Sequence, residues 1–159
     1  MAETTKILLA VDGSPCSEAA VQALTARVRP EHAEVRILHA VEWLKDMPGS
    51  FRFGLGPTYA SDIEEWKRGQ FLKAEELVNR TADRLRAAGF VTSVAMPDAD
   101  ARHAIVEAAV EWPADIIVLG SHGRRRLDRF LLGSVAESVM RHAPCSVEIV
   151  RERHSDTVR

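Results

Sequence analysis

Five short apolar runs, rich in β-branched residues, recur along the chain: 7–11 (ILLAV), 35–41 (VRILHAV), 90–96 (FVTSVAM), 115–119 (DIIVL) and Ser146–Val150 (SVEIV). Each has the length of a strand, and the segments between them carry apolar residues at helical spacing. Strands that run in the same direction need a long crossover, which a helix supplies. The alternation therefore predicts an α/β chain with a parallel five-stranded sheet and helices on both faces. ILLAV and IIVL are unbroken, as central strands covered on both sides should be. Thr92, Ser93 and Glu148 interrupt the third and fifth runs and mark them as edges. With strands one and four at the centre, the order is 3-2-1-4-5 with right-handed crossovers, a Rossmann-like arrangement. Its topological switch lies between strands one and four, where such sheets bind ligands at the strand C-termini.

The helices have their own punctuation. Ser14-Pro15 predicts the first, with an N-cap residue and Pro at N1, and Ala19, Ala20, Ala23 and Leu24 on its apolar face. Ser61 with Glu64 reads as a capping box opening the second, and Gly89 as its stop. The third should run from Asp98 or Asp100 to Trp112, ahead of Pro113. Ser134 with Glu137 reads as another capping box, opening a fourth helix that ends before Pro144. Residues 43–60, with three Gly and two Pro, form the one long irregular stretch, read as either a lid over the crevice or a surface excursion.

The 159 residues suit a single domain, placed at 1–151, with a polar tail at 152–159. With 46% hydrophobic residues the chain is not disordered, and a net charge of −2 argues against a nucleic-acid-coating protein. Cys16 and Cys145 form no C-x-x-C pair, so neither a disulfide scaffold nor a zinc module is expected. The N-terminus lacks a basic region ahead of an apolar stretch, and no run approaches a membrane span. A cytoplasmic protein without membrane insertion is the expectation.

Chemistry concentrates in Gly120-Ser-His-Gly123, continuing through Arg124, Arg125, Arg126 and Arg129 to Gly133-Ser134, written as G-x2-G-x9-G-S. The segment joins the fourth strand to the fourth helix. Glycines there let the backbone approach a ligand closely. The N–H groups after Gly133 form an anion site at a helix N-terminus, and Ser134 can add a hydroxyl to a phosphate oxygen. The competing account is a capping box with ordinary loop glycines. At an average Gly usage of about 7%, chance produces this spacing in under about 1% of chains this long, which favours binding. Asp12, where strand one ends, suits a ribose hydroxyl or a magnesium-bound water, or simply complements a helix dipole. Val41 can wall a base or fill the core. The arginines can screen a polyphosphate or line a solvated loop. His122 can touch phosphate, or be incidental, as a lone histidine more often is. Cys16 stands near a helix N-terminus but is read as an unreactive small residue.

Several machines are missing from the sequence. It holds no G-x-x-x-x-G-K-[ST], no G-x-G-x-x-G after strand one and no G-x-S-x-G. The six histidines are scattered without metal-ligand spacing.

From ILLAVDGSPCSEAAVQAL to GSVAESVMRHAPCSVEIV the chain resembles the universal stress protein family, most specifically at Gly120, Gly123 and Leu132-Gly133-Ser134-Val135-Ala136. The resemblance implies the adenine nucleotide alpha hydrolase-like fold, ATP with magnesium at the switch point, and a homodimer through the fifth strand. It implies that Asp12 faces ribose or metal and Val41 the adenine. Gly120, His122, Gly123, Gly133 and Ser134 would hold the phosphates, with Val135 and Arg124 close by. The chain departs from the family pattern at Pro97-Asp98-Ala99, at Ser146 and at Arg125-Arg126. The expected role is an ATP-responsive, stress-linked regulatory module that acts on an unidentified protein partner. A slow ATP hydrolase or nucleotidyl transferase, and a dimeric scaffold without nucleotide, are the alternatives.

Overall fold

The computed structural model describes residues 4–52, 54, 59–124 and 131–153. Five strands, β1 (Thr5–Ala10), β2 (Ala33–Leu38), β3 (Val91–Ala95), β4 (Ile116–Gly120) and β5 (Ser146–Val150), form one parallel sheet in the order β3-β2-β1-β4-β5. The predicted order is thus observed. Helices α1 (Pro15–Arg27), α2 (Gly49–Arg52), α3 (Tyr59–Ala87), α4 (Ala101–Glu111) and α5 (Ser134–His142) fall between the strands.

The pleat of β1 explains why its run is unbroken. Ile7 and Leu9 point to one side, where they join Ala20, Val21 and Leu24 of α1 and Val78, Ala82 and Leu85 of α3. Leu8 points to the other side and meets Ile105 and Ala109 of α4, Ala136 and Val139 of α5, and Ile117 of β4. Leu8 and Leu9 are both 0% exposed. Two apolar layers on a sheet buried on both sides leave the ends of the central strands as the place where polar chemistry meets solvent.

Sequence punctuation holds at three of the helix ends. Ser14 caps α1, its hydroxyl accepting the Ser17 N–H at 3.2 Å. Gly89 takes φ +96°, and the Gly89 and Phe90 N–H groups return to the Arg86 and Leu85 carbonyls, closing α3. Asp100 caps α4 by accepting the Arg102 N–H at 2.9 Å. The capping box at Ser61 is overturned, because α3 already runs from Tyr59 and Ser61 lies inside its first turn. The stretch 43–60 also carries the short helix α2 and the start of α3, so it is not wholly irregular. Its possible closing motion falls partly on residues outside those described. Among the described residues, no helix is long and apolar enough to cross a membrane.

Asp100 yields a pH-dependent prediction. The Arg102 guanidinium, 2.8 Å away, holds its carboxyl well below the usual carboxylate range. A carboxylate more acidic in the folded than in the unfolded chain contributes in full at neutral pH. The contribution starts to fade as pH falls through the unfolded value and is gone only below the folded one. Asp100→Ala is expected to cost about 1 kcal/mol, the usual worth of such a cap. In urea melts the gap from the parent protein should be constant near neutrality and close under strong acid.

Candidate functional site

The turn after β1 is built by its own short side chains. Gly13 takes φ +79°, which lets the chain reverse into α1. Asp12 Oδ1 accepts the Ser14 N–H at 2.9 Å, and Ser17 Oγ accepts the Asp12 N–H at 3.1 Å. With the Ser14 cap, these bonds fix the β1–α1 turn. Part of Asp12 therefore does serve the helix start. Its Oδ2 lies against Gly123, where a Cβ would come within 2.9 Å.

The motif glycines turn out to be points where segments of the chain touch each other. At Gly120, the last residue of β4, a Cβ would sit 2.7 Å from the Cys16 carbonyl carbon and 2.8 Å from the Ser17 nitrogen. The close approach expected there from a ligand is made by the first turn of α1. At Gly133 a Cβ would meet the Ser121 carbonyl oxygen at 3.0 Å and His122 Cα at 3.2 Å. The Gly133 N–H donates to that same carbonyl at 2.8 Å. The Ser121 N–H reaches the Val150 carbonyl of β5 at 2.8 Å, and Ser14 Oγ donates to the His122 carbonyl at 3.4 Å. The loops after β1 and β4 and the start of α5 are thereby locked together at the switch point.

The start of α5 differs from the sequence expectation in a way that matters. Gly133 occupies the N-cap position with no side-chain cap, and Ser134 is the first helical residue. The Glu137 side chain turns to Arg141, 2.9 Å away, instead of back to the helix start. The capping box at Ser134 is overturned, because glycine takes the extended cap conformation one residue earlier, with φ −63° and ψ 153°. The first intrahelical bond is Glu137 N–H to the Gly133 carbonyl. The N–H groups of Ser134, Val135 and Ala136 therefore have no carbonyl within the helix and carry its positive end. Such a terminus is suited to an anion.

Arg124 leans across the site. Its Nε donates to the Asp12 carbonyl at 2.9 Å, and Nη1 lies 4.0 Å from Asp46 Oδ2 in the loop after β2. It is thus tied to its neighbours and not merely solvated. Val41 lies three residues beyond the end of β2, 3% exposed, with its N–H on the Pro97 carbonyl at 2.8 Å. The expectation that it ends the second strand is corrected, although its side chain remains walled in at the same edge. Val135 packs against the α4–α5 layer. Arg125, Arg126 and Arg129 lie outside the described residues. Cys16 is buried, 4% exposed, in the first turn of α1.

Three residues join the site without having been singled out from the sequence. Ser17 and Ser121 are buried, and Ser121 bridges Cys16 and the His122 ring. His39 holds the Val11 carbonyl through Nδ1 at 2.7 Å. A small polar residue directly after a strand-ending glycine is the signal that marks Ser121. Away from the site, a groove along α3 is lined by Phe51, Trp66, Gln70 and Lys73 among others, and includes none of the motif residues. Among the described residues, no group of three or more His, Cys, Asp or Glu is placed to hold a metal ion.

Comparison with known proteins places this arrangement among relatives. The model of the Universal stress protein family matches residues 3–151. A protein of Staphylococcus aureus (strain USA300) named as a universal stress protein is 31% identical over 147 residues, covering 91% of this chain and 82% of that protein. The solved structure of hypothetical protein MJ0577 superposes with a TM-score of 0.80 at 26% identity, covering 95% of this chain and 98% of that one. The universal stress protein from Archaeoglobus fulgidus in complex with dAMP shares the fold, with a TM-score of 0.63 at 20% identity over 94% of this chain and 99% of its own. Universal stress proteins solved with cAMP and, from Arabidopsis thaliana, with AMP share it too, at TM-scores of 0.63 and 0.64. Their identities are 23% and 16%, over 95% and 98% of this chain and 99% and 95% of theirs.

Proposed function

Because the chain belongs to the universal stress protein family, we propose that it is a regulatory module that binds ATP with magnesium at the switch between β1 and β4. The observation that carries this reading is the start of α5. Its N-cap is a glycine without a side-chain bond, so the first-turn N–H groups, next to the switch, have no carbonyl partner within the helix. This makes the residues a fit for a polyphosphate. Arg124 adds positive charge beside them, and Asp12 keeps one carboxylate oxygen outside its own turn. The adenine nucleotides in neighbours of the same fold support the class of ligand.

In this reading Asp12 faces the ribose or a magnesium-bound water, and Val41 lies against the adenine. Gly120, His122, Gly123, Arg124, Gly133, Ser134 and Val135 surround the phosphates. Bound ATP supplies charge and order to the loops, and the state of those loops is what a protein partner in the cytoplasm reads. Two copies pair through the outer edge of β5, whose backbone groups need a partner. Hydrolysis would need a free base beside the phosphates. Asp12 commits one oxygen to the Ser14 N–H, which favours binding over turnover.

Calorimetric titration with ATP and magnesium tests the site. Saturable heat with about one nucleotide per chain is expected on protein first freed of co-purified nucleotide. No heat at protein concentrations on the order of tens of micromolar overturns the reading. Sedimentation equilibrium tests the pairing: a dimer is expected, and a monomer at those concentrations removes it from the proposal.

A further inference from the structure

Arg124 is held at two points of unequal strength. Its Nε donates to the Asp12 carbonyl at 2.9 Å, a full hydrogen bond to the backbone of the β1–α1 turn. Its Nη1 lies 4.0 Å from Asp46 Oδ2, an ion pair too long for a hydrogen bond, with both side chains about half exposed. The loop that carries Asp46 has a tether of its own. The Trp43 carbonyl accepts the Trp66 Nε1–H at 3.3 Å, and Lys67 of α3 lies over the Trp43 ring while pairing with Asp98 at 3.1 Å. Lys45, next to Asp46, turns to Glu42 at 3.3 Å. Among the described residues, Arg124 is therefore the cation that Asp46 meets, and each of the two is anchored apart from the other.

The phosphates proposed beside Arg124 compete with Asp46 for one guanidinium. A phosphate oxygen takes charge-assisted hydrogen bonds at about 2.7–2.9 Å, closer than the Asp46 pair comes. We infer that Asp46 is an internal competitor of the nucleotide, a carboxylate that attracts the outer nitrogens of Arg124 and gives them up to phosphate. The inference rests on the proposed nucleotide site. Nε stays on the Asp12 carbonyl throughout, so the exchange asks only that the two Nη groups change acceptor.

Two features set the direction of the effect. Asp46 does not position Arg124, because the Asp12 carbonyl already does, so removing its charge leaves the guanidinium in place. A phosphate seated on Arg124 also lies within a Debye length of the displaced carboxylate, about 8 Å at physiological salt, and is repelled by it. Asp46 therefore lowers the affinity of the site for a polyphosphate. The loop after β2 keeps its hold on α3 through Trp43, so phosphate releases Asp46 without detaching that loop.

The test is calorimetry of ATP with magnesium on the parent protein, Asp46→Asn, Arg124→Ala and the double variant. Asp46→Asn keeps the side-chain size and removes the charge. It should bind ATP about twofold to fivefold more tightly than the parent, with the gain shrinking in about 0.5 M salt. Its thermal midpoint without nucleotide should stay level, since an exposed pair adds little to stability. In the Arg124→Ala background the same substitution should bring a smaller gain, because no guanidinium is left to contest. Unchanged or weaker binding by Asp46→Asn overturns the inference alone and makes Asp46 a support for Arg124. A gain of equal size in both backgrounds overturns it as well, since Asp46 would then act as a bystander charge. If Arg124→Ala binds too weakly to measure, the comparison of Asp46→Asn with the parent still decides. No binding by the parent overturns the nucleotide site and the inference with it.

Discussion

Gly120→Ala is expected to be among the most destabilising single-methyl additions this chain can receive, costing about 3 kcal/mol. The new Cβ would lie 2.7 Å from the Cys16 carbonyl carbon and 2.8 Å from the Ser17 nitrogen. Both are backbone atoms in the capped first turn of α1, so no rotamer can relieve the contact. Either α1 lifts from β4 or the end of β4 shifts, and overpacking of this kind typically costs about 1–3 kcal/mol. A loss of that size should lower the thermal midpoint by roughly 6–12 °C in a domain of this length. Gly69→Ala is the matched control. Gly69 sits inside α3 with nothing within 4 Å of its Cβ position, so alanine there should stabilise by about 0.5–1 kcal/mol. Scanning calorimetry of both variants decides the matter, and an unchanged midpoint for Gly120→Ala would mean that α1 is not seated on β4 as described.

Gly133→Val is expected to weaken ATP binding by on the order of tenfold to a hundredfold, the worth of one to two charge-assisted hydrogen bonds. Its side chain would press on the Ser121 carbonyl and His122 Cα, and so tilt the start of α5 away from the switch. The N–H groups of Ser134 and Val135 would no longer converge on the position proposed for the phosphates. Calorimetric affinity and the thermal midpoint, measured on the same preparation, separate the readings. A midpoint that falls while affinity stays level would mark the glycine as purely structural and favour a scaffold without nucleotide.

Much of the fold was legible because burial on two sides of a sheet writes itself into composition. ILLAV has no polar gap, and its alternate residues feed the two layers around Leu8 and Leu9. Caps made by a side chain bonding within a few residues were legible as well: Ser14 read correctly because the bond is local, and Asp100 is one of the two starts expected for the third helix. Ser61 and Ser134 misled for the same physical reason. A capping box states only that a helix can begin there; α3 already includes Tyr59 and Ala60 ahead of Ser61, and at α5 the glycine took the cap.

The sequence by itself determined the strand order, the switch between β1 and β4, and the place of Gly120, Gly123 and Gly133 along the segment that joins β4 to α5, since periodicity, run composition and spacing are properties of residues near each other in the chain. Only the tertiary structure decided what those glycines touch, that Ser134 stands inside α5 and not at its cap, and that Ser121 joins Cys16 to His122. Cys16 and Ser121 are 105 positions apart. A contact across that distance exists only once the sheet has brought β4 beside α1, and no local pattern of side chains encodes which atom of one will face the other.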